Sequence, residues 1–336
     1  MKRPRVIVFA GETLFRSFFD PPRQRRLDRG FAWTRVADRR VTPRLRRLLA
    51  DADALVTTWD SPRFGEDLLA QAPRLRLAAH CGGEVKARFA RPLFERLVIA
   101  NAPGPMAHLV GELAVTFLLM AARRVDHYRE ALRRPSNRIY EQLHLEGARA
   151  DTLRGRTVGL LGFGRIGQET ARLLRPFGPR LLVHDPYVTA AAVRGKRGTP
   201  ATLARLLRES EFLVLAAGLT DATCGLLDRA ALRRLPDGAT VVNVARGGMV
   251  DLEALTAEVR SGRLRCALDV TDPLEPLPVR HALRRMRGAV LTPHVGAAAV
   301  EVRRAMGDIV LDALERFFRG ERVKTRVTLS MLERMT

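Results

Sequence analysis

Arg246, Glu275 and His294 are three side chains whose types, taken together, could carry out chemistry. Arginine presents a planar fork of donors that stays charged, so it can orient a carboxylate and stabilise negative charge growing on a carbonyl oxygen. Histidine, with an unperturbed pKa of about 6.5, passes a proton in either direction near neutral pH. A carboxylate beside it holds the ring in one orientation, as the acid of a hydrolase triad does. Singly, each also has an ordinary role: Arg246 as a surface ion-pair former, Glu275 as a loop carboxylate, His294 as a packed core histidine. All three follow runs read as strands, in Asn243-Val244-Ala245-Arg246-Gly247-Gly248, in the stretch from Asp269 to Pro278, and in Thr292-Pro293-His294-Val295-Gly296. The carboxyl edge of an open α/β sheet is where such folds hold ligands.

A second motif, Gly162-Phe163-Gly164-Arg165-Ile166-Gly167, lies between a strand, Thr157 to Leu161, and a helix running to about Arg175. In that context each glycine has its own task. The first permits a tight turn, the second lets a dinucleotide pyrophosphate approach the backbone, and the third lets helix and strand lie close. The N–H groups of the helix N-terminus then hold the phosphates. Asp185 ends the next strand, where a carboxylate accepts from ribose hydroxyls and repels a 2′-phosphate; Pro186 and Tyr187 follow it, not an arginine. The expected cofactor is therefore NAD rather than NADP.

These motifs sit in an alternation of short β-branched runs and helical stretches, the pattern of parallel sheets closed by crossover helices. The expected fold class is α/β, with two Rossmann/flavodoxin-like doubly wound parallel-sheet domains separated by a cleft. A first sheet is expected from Arg5 to Ala10, Ala54 to Thr57 and Leu75 to Ala79, with helices around Pro43 to Ala50 and Phe64 to Gln71. A long helix from about Pro105 to Arg123 has an apolar surface wider than one stripe, which predicts burial between domains or subunits. Arg129 to Thr152 reads as an irregular surface excursion, with a turn at Pro135-Ser136-Asn137.

The second sheet is expected at 157–161, 180–184, 212–216, 240–244, 266–270 and 289–292, with Asp228 and Asp251 as helix N-caps. A helix from about Ala297 to Phe318 and a last strand or tail, Val323 to Leu329, should return to the first domain. The expected division is residues 1–102 with 297–336 as a substrate-binding domain, and 103–296 as an inserted NAD-binding domain.

The glycine motif and the Arg, Glu and His segments together resemble the D-isomer-specific 2-hydroxyacid dehydrogenase family, over nearly the whole chain and most specifically from Gly162 to Gly296. The resemblance implies hydride transfer between NAD(H) and C2 of a small 2-hydroxy or 2-oxo acid. It implies Arg246 on the substrate carboxylate and carbonyl, His294 as acid/base and Glu275 as its partner. It also implies cofactor contacts from Gly162, Gly164, Arg165, Ile166, Gly167, Asp185, Ala245 and Asp269. Gly82 and Gly83 stand where the family's loop gives backbone N–H groups to the substrate carboxylate. Three departures are visible. Lys86-Ala87-Arg88 replaces a stretch that more usually carries Asp, Gly111 replaces a commoner Ala, and Ala216 and Gly218 stand where His and Pro are frequent.

Composition bounds the alternatives. The 336 residues carry 58 Lys+Arg against 36 Asp+Glu, a net charge of +22 large enough to raise nucleic acid as a partner. Against that, nearly all the positive charge is arginine spread along presumed helix faces, so no concentrated patch is expected. Cys81, Cys224 and Cys266 form no paired motif, which fits a reducing cytoplasm, and the histidines show no metal-ligand spacing, so no metal is expected. No apolar run approaches the roughly 20 residues of a membrane span. A homodimer is expected from the family and from the apolar 105–123 helix. The alternative readings are an NAD(H)-sensing binding protein of the corepressor kind and a formate- or phosphonate-type dehydrogenase. Glu275 speaks against the formate version, which carries Gln there.

Overall fold

The computed structural model describes residues 3–38, 42–133, 136–146, 152–332 and 335. The chain divides into two compact units, Met1–Met106 with Ala298–Thr336, and Ala107–Ala297.

The first unit is built on a six-stranded sheet. Its strands are β1 (Arg5–Phe9), β2 (Ala32–Val36), β3 (Ala54–Thr57), β4 (Leu77–His80), β5 (Val98–Asn101) and β13 (Arg326–Val327), in the order β13-β5-β4-β3-β1-β2. All neighbours are parallel except β13, which runs antiparallel to β5, so the sheet is mixed at one edge. The inner strands β3 and β4 are buried at every position, which is why they read as unbroken apolar runs, whereas edge strand β2 alternates exposed and half-buried residues. The Val300–Phe318 helix packs against this unit at Gly307, where a Cβ would lie 2.3 Å from the Phe18 carbonyl oxygen.

The second unit holds a seven-stranded sheet of β6 (Thr157–Leu161), β7 (Arg180–His184), β8 (Thr199–Pro200), β9 (Phe212–Leu215), β10 (Thr240–Asn243), β11 (Arg265–Leu268) and β12 (Ala289–Leu291). Its order is β12-β11-β10-β9-β6-β7-β8, parallel throughout, so the loops after β6, β9, β10, β11 and β12 all emerge at one edge. Asp228 and Asp251 cap their helices by accepting from the N–H groups of Ala231 and Ala254.

Three sequence expectations change. The apolar helix, Met106–Ala122, lies within its own unit's core: Val110, Ala114, Phe117 and Leu118 pack in one cluster with Val158, Leu160, Val242 and Ala267. The expected excursion is largely helical, Val125–Leu132 and Arg138–Glu146, whose polar faces gave no apolar stripe to read; Pro135 lies outside the described residues. The helix expected from Phe64 starts only at Leu68, because Phe64 instead forms a bridge with Phe89.

The Met106–Ala122 helix meets the Arg165–Leu174 helix at Gly111, where a Cβ would stand 3.3 Å from the Thr170 nitrogen, so the small residue suits a close crossing. Beside it His108 Nδ1 lies 2.7 Å from Glu169 Oε1 and Nε2 lies 2.9 Å from Glu112 Oε1. Hydrogen bonding to Glu169 raises the His108 pKa, and the bonds from Arg172 and His108 pull Glu169 down to about 2. A raised histidine contributes stability that is full below about 6.5 and is lost as pH climbs through its folded value. The lowered Glu169 contributes above about 4.5 and loses it only as pH falls toward 2. Urea denaturation of wild type and His108→Gln should therefore differ at pH 5.5 and converge by pH 9, by under about 1 kcal/mol since water screens this half-exposed pair.

Candidate active site

The glycine loop after β6 is shaped by contacts that side chains would obstruct. Gly162 has φ +96°, and a Cβ there would fall 2.4 Å from the Ala217 nitrogen; at Gly167 it would fall 2.3 Å from the Gly162 carbonyl oxygen. Around Gly164, at the N-terminus of the Arg165–Leu174 helix, no atom lies within 4 Å of the Cβ position. The loop thus leaves open backbone where a pyrophosphate would need it, and these residues fit a dinucleotide. Arg165 is exposed and Ile166 packs partly against the core. Asp185 Oδ2 accepts from the Phe163 N–H at 2.7 Å and Oδ1 from the Tyr187 N–H at 2.8 Å. A carboxylate has about four acceptor positions, so two remain for hydroxyls. The backbone of Ala216 and Ala217 would meet a Cβ at Gly162, and the Ala216 side chain reaches the Gly167 position at 3.7 Å.

After β10, Asn243 organises the Arg246 loop: its Oδ1 accepts from the Ala245 N–H and its Nδ2 donates to the Arg246 carbonyl, at 3.0 and 2.9 Å. Arg246 Nη1 donates to the Ala245 carbonyl at 2.7 Å. At Gly247 a Cβ would sit 2.2 Å from the Thr271 carbonyl carbon, so glycine lets this loop lie directly on the one that leads to Glu275.

Asp269, 4% exposed, is the centre of the arrangement. Its N–H donates to the Asn243 carbonyl, and its own carbonyl accepts from the His294 N–H at 2.9 Å. Its carboxylate accepts from Thr292 Oγ1 at 2.6 Å, from the Val295 N–H at 2.8 Å and from the Gly296 N–H at 2.9 Å. The sequence placed Asp269 and Ala245 toward the cofactor; in the structure both are buried, and the Asp269 carboxylate holds the loop after β12. Within that loop His294 has φ +55°, a conformation few non-glycine residues adopt, and its Nδ1 lies 3.2 Å from Glu275 Oε2. Both side chains remain partly exposed, and they form one wall of a cavity of about 440 Å³ lined further by Met120, Leu277, Val290 and Pro293.

Asn243 and the structural part of Asp269 were missed from sequence. The signal was there, a short polar residue ending each strand at a ligand-bearing edge, but its hydrogen-bond partners were not.

In the first unit the glycine loop follows β4. The Gly82 N–H donates to the His80 carbonyl at 2.9 Å, while among the described residues no protein acceptor takes the Gly83 N–H. Asn101 Nδ2 donates to the Gly83 carbonyl at 2.7 Å and steadies the turn. His80 is buried, with Nδ1 2.9 Å from Thr57 Oγ1; burial, reinforced by the Arg88 charge, pushes its pKa down to about 3 and keeps the ring neutral. Burial likewise pushes up the thiols of Cys81 and Cys266, while Cys224 is exposed. Among the described residues no group of three or more His, Cys, Asp or Glu could hold a metal, and no single helix is long and apolar enough to cross a membrane.

Comparison with known proteins agrees with this architecture. The model of the D-isomer specific 2-hydroxyacid dehydrogenase NAD binding domain matches residues 115–296. The chain is 32% identical over 329 residues to a glyoxylate reductase of Aeropyrum pernix, covering 96% of this chain and 95% of that one. It is 33% identical over 291 residues to a D-3-phosphoglycerate dehydrogenase of Mycobacterium leprae, covering 83% of this chain but 52% of the relative, so it spans about half the length of that protein. A crystal structure from Thermus thermophilus superposes with a TM-score of 0.78 at 29% identity, covering 96% of this chain and all of the other. The chain belongs to the D-isomer specific 2-hydroxyacid dehydrogenase family of NAD-binding oxidoreductases.

Replacing Asp269 by Ala should leave the buried Gly296 N–H, the Val295 N–H and the Thr292 hydroxyl without their acceptor. The expected loss is about 3 kcal/mol of unfolding free energy in a urea titration. Unchanged stability would show that water or another group replaces the carboxylate.

Proposed function

We propose that the protein interconverts a small 2-oxo acid and its D-2-hydroxy acid with NAD(H), His294 serving as acid/base. The observation that carries the reading is the Glu275–His294 contact of 3.2 Å, on a histidine whose backbone Asp269 holds in place. NAD(H), when bound, gives or takes the hydride at C2. In the reducing direction the C2 oxygen gains negative charge, which the Arg246 guanidinium would stabilise while orienting the carboxylate. His294 Nε2, opposite the nitrogen that faces Glu275, would hand its proton to that oxygen; in the oxidising direction it would take the hydroxyl proton back. Glu275 would fix the ring orientation and stabilise the charged ring. The Gly83 N–H is the donor we assign to the substrate carboxylate, with Gly82 shaping the turn.

NADH absorbance, followed against glyoxylate, hydroxypyruvate, pyruvate, phenylpyruvate and branched 2-oxo acids, tests this. Oxidation by wild type should fall by about 10²–10⁴ in kcat in His294→Ala, and by less in Glu275→Gln. Equal rates in wild type and His294→Ala would remove His294 from the mechanism.

A cytoplasmic homodimer completes the reading. The 125–132 and 138–146 helices leave Leu132, Tyr140 and Leu145 at 65%, 66% and 85% exposure, an apolar surface that a second copy would cover. Light scattering should return the mass of two chains, and Leu145→Glu with Tyr140→Glu should shift it toward one.

A further inference from the structure

The departure at Lys86-Ala87-Arg88 has a structural counterpart beside the Gly82–Gly83 turn. Arg88 Nη1 donates to the Ser61 carbonyl at 2.6 Å and Nη2 to the Trp59 carbonyl, so the guanidinium fastens the turn after β3. That turn is rigid in its own right: Thr58 and Ser61 are buried, the Ser61 hydroxyl donates to the Phe9 carbonyl, and the single Thr58 hydroxyl proton lies between that carbonyl and Asp60 Oδ1. On it stands Trp59, 38% exposed, with its ring 5.2 Å from that of Phe18 and the Arg303 guanidinium 5.2 Å above its centroid. The indole Nε1 lies 3.0 Å from where a Gly82 Cβ would be, and among the described residues it donates to no protein acceptor. Arg303 is held by a 3.3 Å bond to Ser17 Oγ.

The two cations of this corner differ in their surroundings. Arg88 feels the carboxylates of Glu84 and Asp60, neither at ion-pair distance, whereas among the described residues Arg303 has no carboxylate at ion-pair distance. The nearby Asp60 is engaged by the Gly11 N–H at 2.9 Å and by Thr58 Oγ1. Partly buried guanidinium groups ordinarily find an anion, and a free indole N–H beside them adds a directional donor. With Arg303 over one part of the ring and Phe18 against another, what remains for a ligand is the N–H edge and the positive charge. That combination selects an anionic oxygen rather than an apolar or aromatic group.

We propose that Trp59, Arg88 and Arg303 select 2-oxo acids whose C2 substituent bears a second acidic group, a carboxylate or a phosphate ester. The inference rests on the 2-oxo acid activity above and names its substrate class. Trp59 and Arg303 meet the second anion, and Arg88 positions Trp59.

The test compares kcat/KM for oxaloacetate and 2-oxoglutarate with that for pyruvate and 2-oxobutyrate. Phosphohydroxypyruvate, added as a further arm, tells phosphate from carboxylate. Wild type should favour the doubly acidic substrates by about tenfold or more, the scale of one charge-assisted hydrogen bond. Trp59→Phe, which keeps the ring and removes the N–H, and Arg303→Gln should each shrink that preference through KM while leaving pyruvate within about twofold; Arg303→Lys should restore part of it. A wild-type preference for singly charged acids, or equal losses for both classes in the variants, overturns the proposal. Turnover of no 2-oxo acid would instead defeat the parent reading, and a binding measurement then decides this one. The chain has two tryptophans, so Trp59 is the sole indole emitter in Trp33→Phe. A change in its emission at lower 2-oxoglutarate than pyruvate concentration sustains the corner; equal response, or none, rejects it.

Discussion

The geometry of the second unit's ligand-bearing edge depends on one buried carboxylate. Asp269 directly follows β11, bonds back to β10 through its own N–H, and gathers the loop after β12 through its carbonyl and both side-chain oxygens. A left-handed backbone at a non-glycine residue persists only where its surroundings over-determine it, and four bonds from one aspartate to residues 292–296 do so at His294. The approach of His294 to Glu275 is therefore a consequence of main-chain anchoring and not of attraction between two exposed side chains, which would hold weakly in water.

The loops of that edge also need to touch, and this is where glycine matters. Gly162 turns with positive φ directly against Ala217, and Gly247 seats the Arg246 loop on Thr271. Any side chain at either position would force apart two strand ends whose register the parallel sheet has already set. Gly111 has the same effect one layer away, letting one helix cross another beside the His108–Glu169 contact.

Many of the arginines have local carboxylate partners. Arg23 and Arg26 clasp the Val300–Phe318 helix through Asp308, Asp312 and Glu315, Arg205 pairs with Glu209 on its own helix, and Arg265 with Asp126. Such contacts on half-exposed surfaces contribute little stability each. Arg303 differs in having a hydroxyl and an aromatic neighbour and no ion pair among the described residues, and Arg88 in bonding backbone carbonyls, with Glu84 and Asp60 acting on it only from beyond ion-pair distance.

Sequence by itself determined the elements whose signal is local. Strands 157–161 and 180–184 have continuous apolar centres, 158–161 and 181–183, because both sheet faces are covered there, and Asp228 and Asp251 announce helix starts because a cap needs only its own next three residues. The glycine motif was legible for the same reason, its spacing being set by one turn between strand and helix. Elements without such a signal were missed. Edge strand Ala32–Val36 has one face in water, and the Val125–Leu132 helix buries no residue at all. What only the tertiary structure decided are the contacts between residues far apart in the chain: Asp269 with 292–296, Glu275 with His294, Gly247 with Thr271, and Trp59 with Gly82 and Arg303. Their types could be named from sequence, but which groups meet depends on strand order, and a parallel sheet brings together loops whose separation along the chain carries no mark of it.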